Sequence, residues 1–135
     1  MDRRLSPSND HDIIRMRKGV HLIIGVLAFF VYAYLTSLIR ETATETFIIG
    51  LFAVAAGSMM PDILEAPTSW RHRKLFHSKR ALKGVMVIFC ITTAASLVPP
   101  PLMPDPAIVY GLSCFALGYL FHLLADAMTR MGLPE

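Results

Sequence analysis

Four apolar stretches alternate with polar connections along the chain. The first runs from Gly19 to Ile39, the length a helix needs to cross the hydrocarbon core of a bilayer. Its only ionisable side chain is His21, close to its start, and Arg40, Glu41 and Glu45 mark the polar connection that follows. The second stretch, Thr46 to Met60, is short for a span and stops at Pro61. Proline has no amide hydrogen to give to a helix, so the pattern predicts an end or a kink there. The third runs from Ala81 to Val98, with Lys83 near its start, and a proline-rich connection, residues 99–106, separates it from the fourth, Ala107 to about Met128. Between the second and third, residues 61–80 read as a loop or re-entrant segment against the membrane surface. That segment holds Asp62, Glu65, His72 and His77 among Arg71, Arg73, Lys74, Lys79 and Arg80.

This pattern predicts an all-α integral membrane bundle of about four transmembrane helices, near residues 19–39, 46–60, 81–98 and 107–128. They form a single membrane domain, residues 19–135, behind a basic N-terminal arm, residues 1–18. Composition agrees: of 135 residues 54% are hydrophobic and 17% charged, and the apolar ones are gathered in runs that a water-soluble core does not need. The arm is not a secretory signal, because the run after it is too long and no small-residue cleavage site closes it. Cys90 and Cys114 lie inside apolar runs without a CxxC pair, so both are expected to be buried, inert thiols.

Charge adds orientation. Arg3, Arg4, Arg15, Arg17 and Lys18 precede the first run, the central segment is basic, and Arg130 follows the last run, whereas the other two connections lack such an excess. The positive-inside rule then puts both termini and the central segment in the cytoplasm, with the protein integral to the cell membrane. That topology carries His21, Asp62, His72, His77, His122 and Asp126 to one membrane face. His122 and Asp126 are four apart, on one face of a helix one turn from each other. Ionisable groups in a span are costly in lipid and turn toward the bundle interior or a cavity. Imidazoles and carboxylates together suit a divalent metal, zinc or manganese being the expected ions. Such an ion can make hydroxide available near neutral pH, with an uncoordinated His or Asp as general base. A hydrogen-bonded helix end is the alternative for His122 and Asp126, and a solvated basic loop on anionic headgroups is the alternative for His72 and His77. Arg71, Arg73, Lys74 and Lys79 would suit an anionic substrate such as a phosphate ester.

The segments Gly57-Ser58-Met59-Met60-Pro61-Asp62, His72-Arg73 with His77-Ser78, and Gly118 through His122 and Asp126 to Thr129 resemble the YdjM-like membrane proteins, a family of predicted metal-dependent hydrolases. The resemblance runs from Lys18 to Pro134 in matching order. It implies a metal site of His21, Asp62, His72, His77, His122 and Asp126, with Asp62, His77 and Asp126 in catalytic roles. The chain departs from the family pattern at Leu64 and Glu65, where the pattern has Asp and His, at Phe76 in place of Thr, and at Lys74 in place of a small residue. Losing two ligand-type positions could reduce a two-metal site to one metal or end catalysis. The expected function is therefore metal-dependent hydrolysis of a phosphate-containing or lipid substrate, or non-catalytic binding of metal or lipid headgroups. A transporter is the less favoured reading, because the ionisable residues gather at one face instead of along a path through the midplane. Membrane lipids are the expected partners and nucleic acid is not, while assembly with further copies of the chain stays open.

Overall fold

The structure, a computed structural model, describes residues 8–64, 75–98 and 105–128. They form four helices in antiparallel sequence: α1 (Ser8–Ser37), α2 (Thr44–Leu64), α3 (Lys79–Ser96) and α4 (Pro106–Ala127). The described residues contain no strand. Local chemistry sets two of the starts. Asp105 caps α4 by accepting from the Ala107 amide at 2.9 Å, and Pro106 opens the helix where no amide donor is needed. Ser78 caps α3 by accepting from the Ala81 amide at 3.1 Å.

α4 is the axis of the bundle. It packs against each of the other three helices, α1 and α2 also pack on each other, and α3 rests mainly on α4, with Tyr32 of α1 reaching Phe89 and Thr93. The core joins Phe29, Tyr32, Val54, Tyr110, Cys114 and Leu117. Large apolar side chains such as Leu27, Phe30, Phe52 and Ile91 stay exposed on the outer surfaces, as expected where lipid is the solvent. Lipid gives little drive to hide such groups, so close packing of small residues holds the helices instead. α2 and α4 meet at glycines: a side chain on Gly57 would overlap the Phe115 carbonyl, and one on Gly118 would overlap the Val54 carbonyl. At the end of the bundle where α1 stops, Arg40 Nη1 donates to the Ser96 carbonyl at 3.1 Å, tying α1 to the last turn of α3.

Several expectations change. Among the described residues, three of the four helices are long and apolar enough to cross a membrane: Gly19–Ser37, Thr44–Leu64 and Pro106–Ala127. α3 falls short because its 18 residues include Lys79, Arg80 and Lys83 at its start. α2 does not stop at Pro61 but runs one turn past it to Leu64, with Pro61 inside and buried. A proline there removes only the donor to the Gly57 carbonyl, which the helix tolerates. Asp62 is thus in a helix, and the loop reading of residues 61–80 gives way at both ends. His21 is not at a helix start either, since α1 begins at Ser8. Of the two thiols, Cys114 is buried but Cys90 is exposed, on the outer side of α3.

Candidate metal centre

Asp62 lies in the last turn of α2, and His122 and Asp126 lie in the last two turns of α4. His77 sits in the turn just before α3, and His21 comes from α1 at the same level. The carbonyl ends of α2 and α4 therefore both point toward the cluster, and the partial negative charge there favours a cation.

His77 and His122 are the buried heart of the cluster, 3% and 0% exposed. Their Nε2 atoms face each other at 3.3 Å. Asp62 Oδ1 is 3.6 Å from His77 Nε2 and 3.7 Å from His122 Nε2. Asp126 Oδ2 is 3.6 Å and 3.5 Å from the same two nitrogens. His77 Nε2 and His122 Nε2 thus form a shared edge, with Asp62 Oδ1 within 3.7 Å of both and Asp126 Oδ2 within 3.6 Å of both. Donors held about 2.0–2.2 Å from a tetrahedral ion lie roughly 3.3–3.6 Å from one another, close to the distances from each carboxylate oxygen to the two imidazole nitrogens.

The protein orients these donors from behind. His122 Nδ1 lies 2.7 Å from the Ser58 carbonyl. A carbonyl only accepts, so Nδ1 carries the proton, and the neutral ring presents the Nε2 lone pair to the centre. The His77 turn is held by two bonds: Tyr119 donates its hydroxyl to the Phe76 carbonyl at 3.2 Å, and Ser78 donates to the Leu75 carbonyl at 3.0 Å. His21 joins the cluster through Asp126 and His122. Its Nε2 lies 3.3 Å from Asp126 Oδ1, the oxygen turned away from His77 and His122. Its ring lies over that of His122, with centroids 4.2 Å apart and planes inclined by 31°.

Two overlapping groups could therefore hold an ion, one of Asp62, His77 and His122 and the other of His21, His122 and Asp126. Five of the six ligand-type residues read from the sequence come together: His21, Asp62, His77, His122 and Asp126. His72 and three of the basic residues, Arg71, Arg73 and Lys74, lie outside the described residues. Lys79 opens α3 and is exposed. The sequence reading did not assign Ser58, Tyr119 or Ser78. Ser58 and Tyr119 sit inside the motifs but act through a backbone carbonyl and a ring hydroxyl whose reach no spacing reveals. Ser78, a serine directly before a helical run, carried an N-cap signal that could have been used.

Residues 16–134 match the model of the YdjM inner membrane protein family. No curated protein and no solved structure matches the chain.

Proposed function

We propose that this chain, which belongs to the YdjM inner membrane protein family, is a membrane-embedded metal-dependent hydrolase. It works at the cytoplasmic face on a phosphate-containing or lipid substrate. The observation behind this reading is the set of four donors: the Nε2 atoms of His77 and His122 lie 3.3 Å apart, and Asp62 and Asp126 each place a carboxylate oxygen 3.5–3.7 Å from both. Two carboxylates and two neutral imidazoles carry a charge of minus two, which a divalent ion balances. Without a cation, like charges would crowd a half-buried site inside a membrane protein. Mixed nitrogen and oxygen donors favour zinc, with manganese second. Magnesium is disfavoured because it asks for an octahedral oxygen shell.

A bound divalent ion would supply Lewis acidity and a water ionised near neutral pH. His77, His122 and Asp126 would hold that ion. A tetrahedral ion with four protein ligands has no open position, so hydrolysis requires one donor to stand off. Asp62 suits this role. It lies in the last turn of its helix with its side chain 19% exposed, and among the described residues its second oxygen meets no partner. It acts as general base toward the attacking water. Arg71, Arg73, Lys74 and Lys79 attract the anionic part of the substrate. The cytoplasmic placement of this face and of both termini rests on the positive-inside rule. Leu64, where the family pattern has a carboxylate, favours a second reading: if Asp62 stays bound, the site is closed and the protein is a non-catalytic metal or headgroup binder.

The test is metal content. The protein is purified in mild detergent without chelator beside a His122→Ala/Asp126→Ala variant, and both are analysed by elemental mass spectrometry. Near-stoichiometric zinc or manganese in the native protein only supports the site and opens a screen of phosphate and lipid esters. No metal in either, even after reconstitution with divalent ions, overturns the hydrolase reading and leaves headgroup binding.

A further inference from the structure

His21 looks like a fifth ligand in sequence, and the geometry gives it another task. Every pairing among the other donors passes through His77 Nε2 or His122 Nε2. His21 comes within hydrogen-bonding reach of the far oxygen of Asp126, at 3.3 Å, and its other neighbour in the cluster is His122, with ligand atoms within 4.8 Å. Asp126 is thereby engaged on both sides, with Oδ2 toward the two imidazoles and Oδ1 toward His21. Asp62 has no comparable support on its second oxygen among the described residues. The two carboxylates, alike in sequence, are therefore held differently.

We infer that His21 is a positioning residue that acts through Asp126 and does not bind the metal itself. It donates from Nε2 to Asp126 Oδ1, which turns Oδ2 to the ion and keeps Asp126 bound while Asp62 remains free to move. Carboxylates and imidazoles that ligate metals commonly have such outer partners, and removing one typically weakens metal binding about 10–100-fold. The arrangement of His21 itself is consistent with this role. Its ring is stacked on His122, which limits rotation. Its other nitrogen, Nδ1, is buried without a partner, so Nε2 is the atom the protein puts to use. Asp126 is also the only described carboxylate within 4 Å of the His21 ring.

The inference rests on the metal-binding reading, and the experiment separates the two. Zinc affinity is measured by chelator competition, and the visible spectrum of the cobalt-loaded protein reports ligand geometry. Wild type is compared with His21→Phe, which keeps a ring on His122 but cannot donate, and with His21→Gln. The Gln amide nitrogen can donate from near the Nε2 position but does not ligate metals. Helicity and elution in detergent confirm folding. The expected result is full zinc stoichiometry in all three at saturation, zinc binding 10–100-fold weaker in His21→Phe, and recovery of affinity and cobalt spectrum in His21→Gln. Loss of one cobalt ligand band pattern in both variants, without rescue by Gln, would make His21 a ligand and overturn the inference. So would unchanged affinity in His21→Phe. Failure of wild type to bind zinc or cobalt at all would remove the metal reading first, and this one with it.

Discussion

Gly57 of α2 lies against the main-chain carbonyl of Phe115 in α4, so closely that a Cβ at position 57 would overlap the oxygen. The contact is one turn from Asp62 on α2 and two turns from His122 on α4, so it sets how near those two donors can come. Gly57→Ala is expected to push the helices apart, costing about 1–3 kcal/mol by overpacking and weakening metal binding. Thermal unfolding in detergent, with and without added zinc, measures both effects. A variant with wild-type stability and zinc affinity would show that the helix spacing does not control the site.

The metal itself should stabilise the fold. If the ion binds only the folded state, at 100 times its Kd it adds about 2.7 kcal/mol. Protein stripped with chelator should melt at a lower temperature and regain the loss with zinc but not with magnesium. Equal recovery with both ions would point to a loose electrostatic site instead of a coordinated one.

Asp62 and Asp126 should part company under the same conservative change. Asp126→Asn is expected to reduce metal content at any practical zinc concentration. Asp62→Asn should keep the metal and lower turnover of whichever ester the wild type cleaves by about 10²–10⁴-fold, the usual contribution of a general base. Metal loss in Asp62→Asn equal to that in Asp126→Asn would favour the closed, non-catalytic site.

Tyr119 holds the His77 turn through the Phe76 carbonyl. Tyr119→Phe removes one neutral hydrogen bond, worth about 0.5–1.5 kcal/mol. It should leave helicity intact and weaken zinc binding by roughly tenfold or less, a range that bond energy allows. Ser78→Ala removes the cap of α3 as well, about 1 kcal/mol, and should weaken zinc binding at least as much. The competition assay ranks them, and an effect in neither would mean that His77 is oriented by other contacts.

The number and type of helices were readable because long apolar runs have few alternatives in a membrane protein. Details failed where one residue's local rule met a larger constraint. Pro61 predicts a helix end, yet α2 runs on to Leu64, because one missing donor is cheaper than exposing the next backbone groups to lipid. His21 reads as a helix start because apolarity begins there, while the backbone is already helical from Ser8, where polarity hides the helix from a hydropathy pattern. Lys79, Arg80 and Lys83 were visible, but their effect on the third run shows only once α3 is seen to start at Lys79. For the site, the antiparallel order of apolar runs was enough to gather His21, Asp62, His77, His122 and Asp126 at one end. The division of Asp126, with Oδ2 toward His77 and His122 and Oδ1 toward His21, was not readable, because it depends on which oxygen faces which ring.

Ser58 deserves a last consideration. Its carbonyl orients His122, while its hydroxyl is buried without a partner among the described residues. Deleting that hydroxyl costs no hydrogen bond and relieves a desolvated polar group, so Ser58→Ala should be silent or slightly stabilising. A scan that replaces side chains one at a time would score position 58 as dispensable. The oxygen that sets the His122 tautomer would survive every such replacement, since it belongs to the main chain. Genetic tolerance at this position is therefore a poor guide to its place in the site, and only a change in helix path could reveal it.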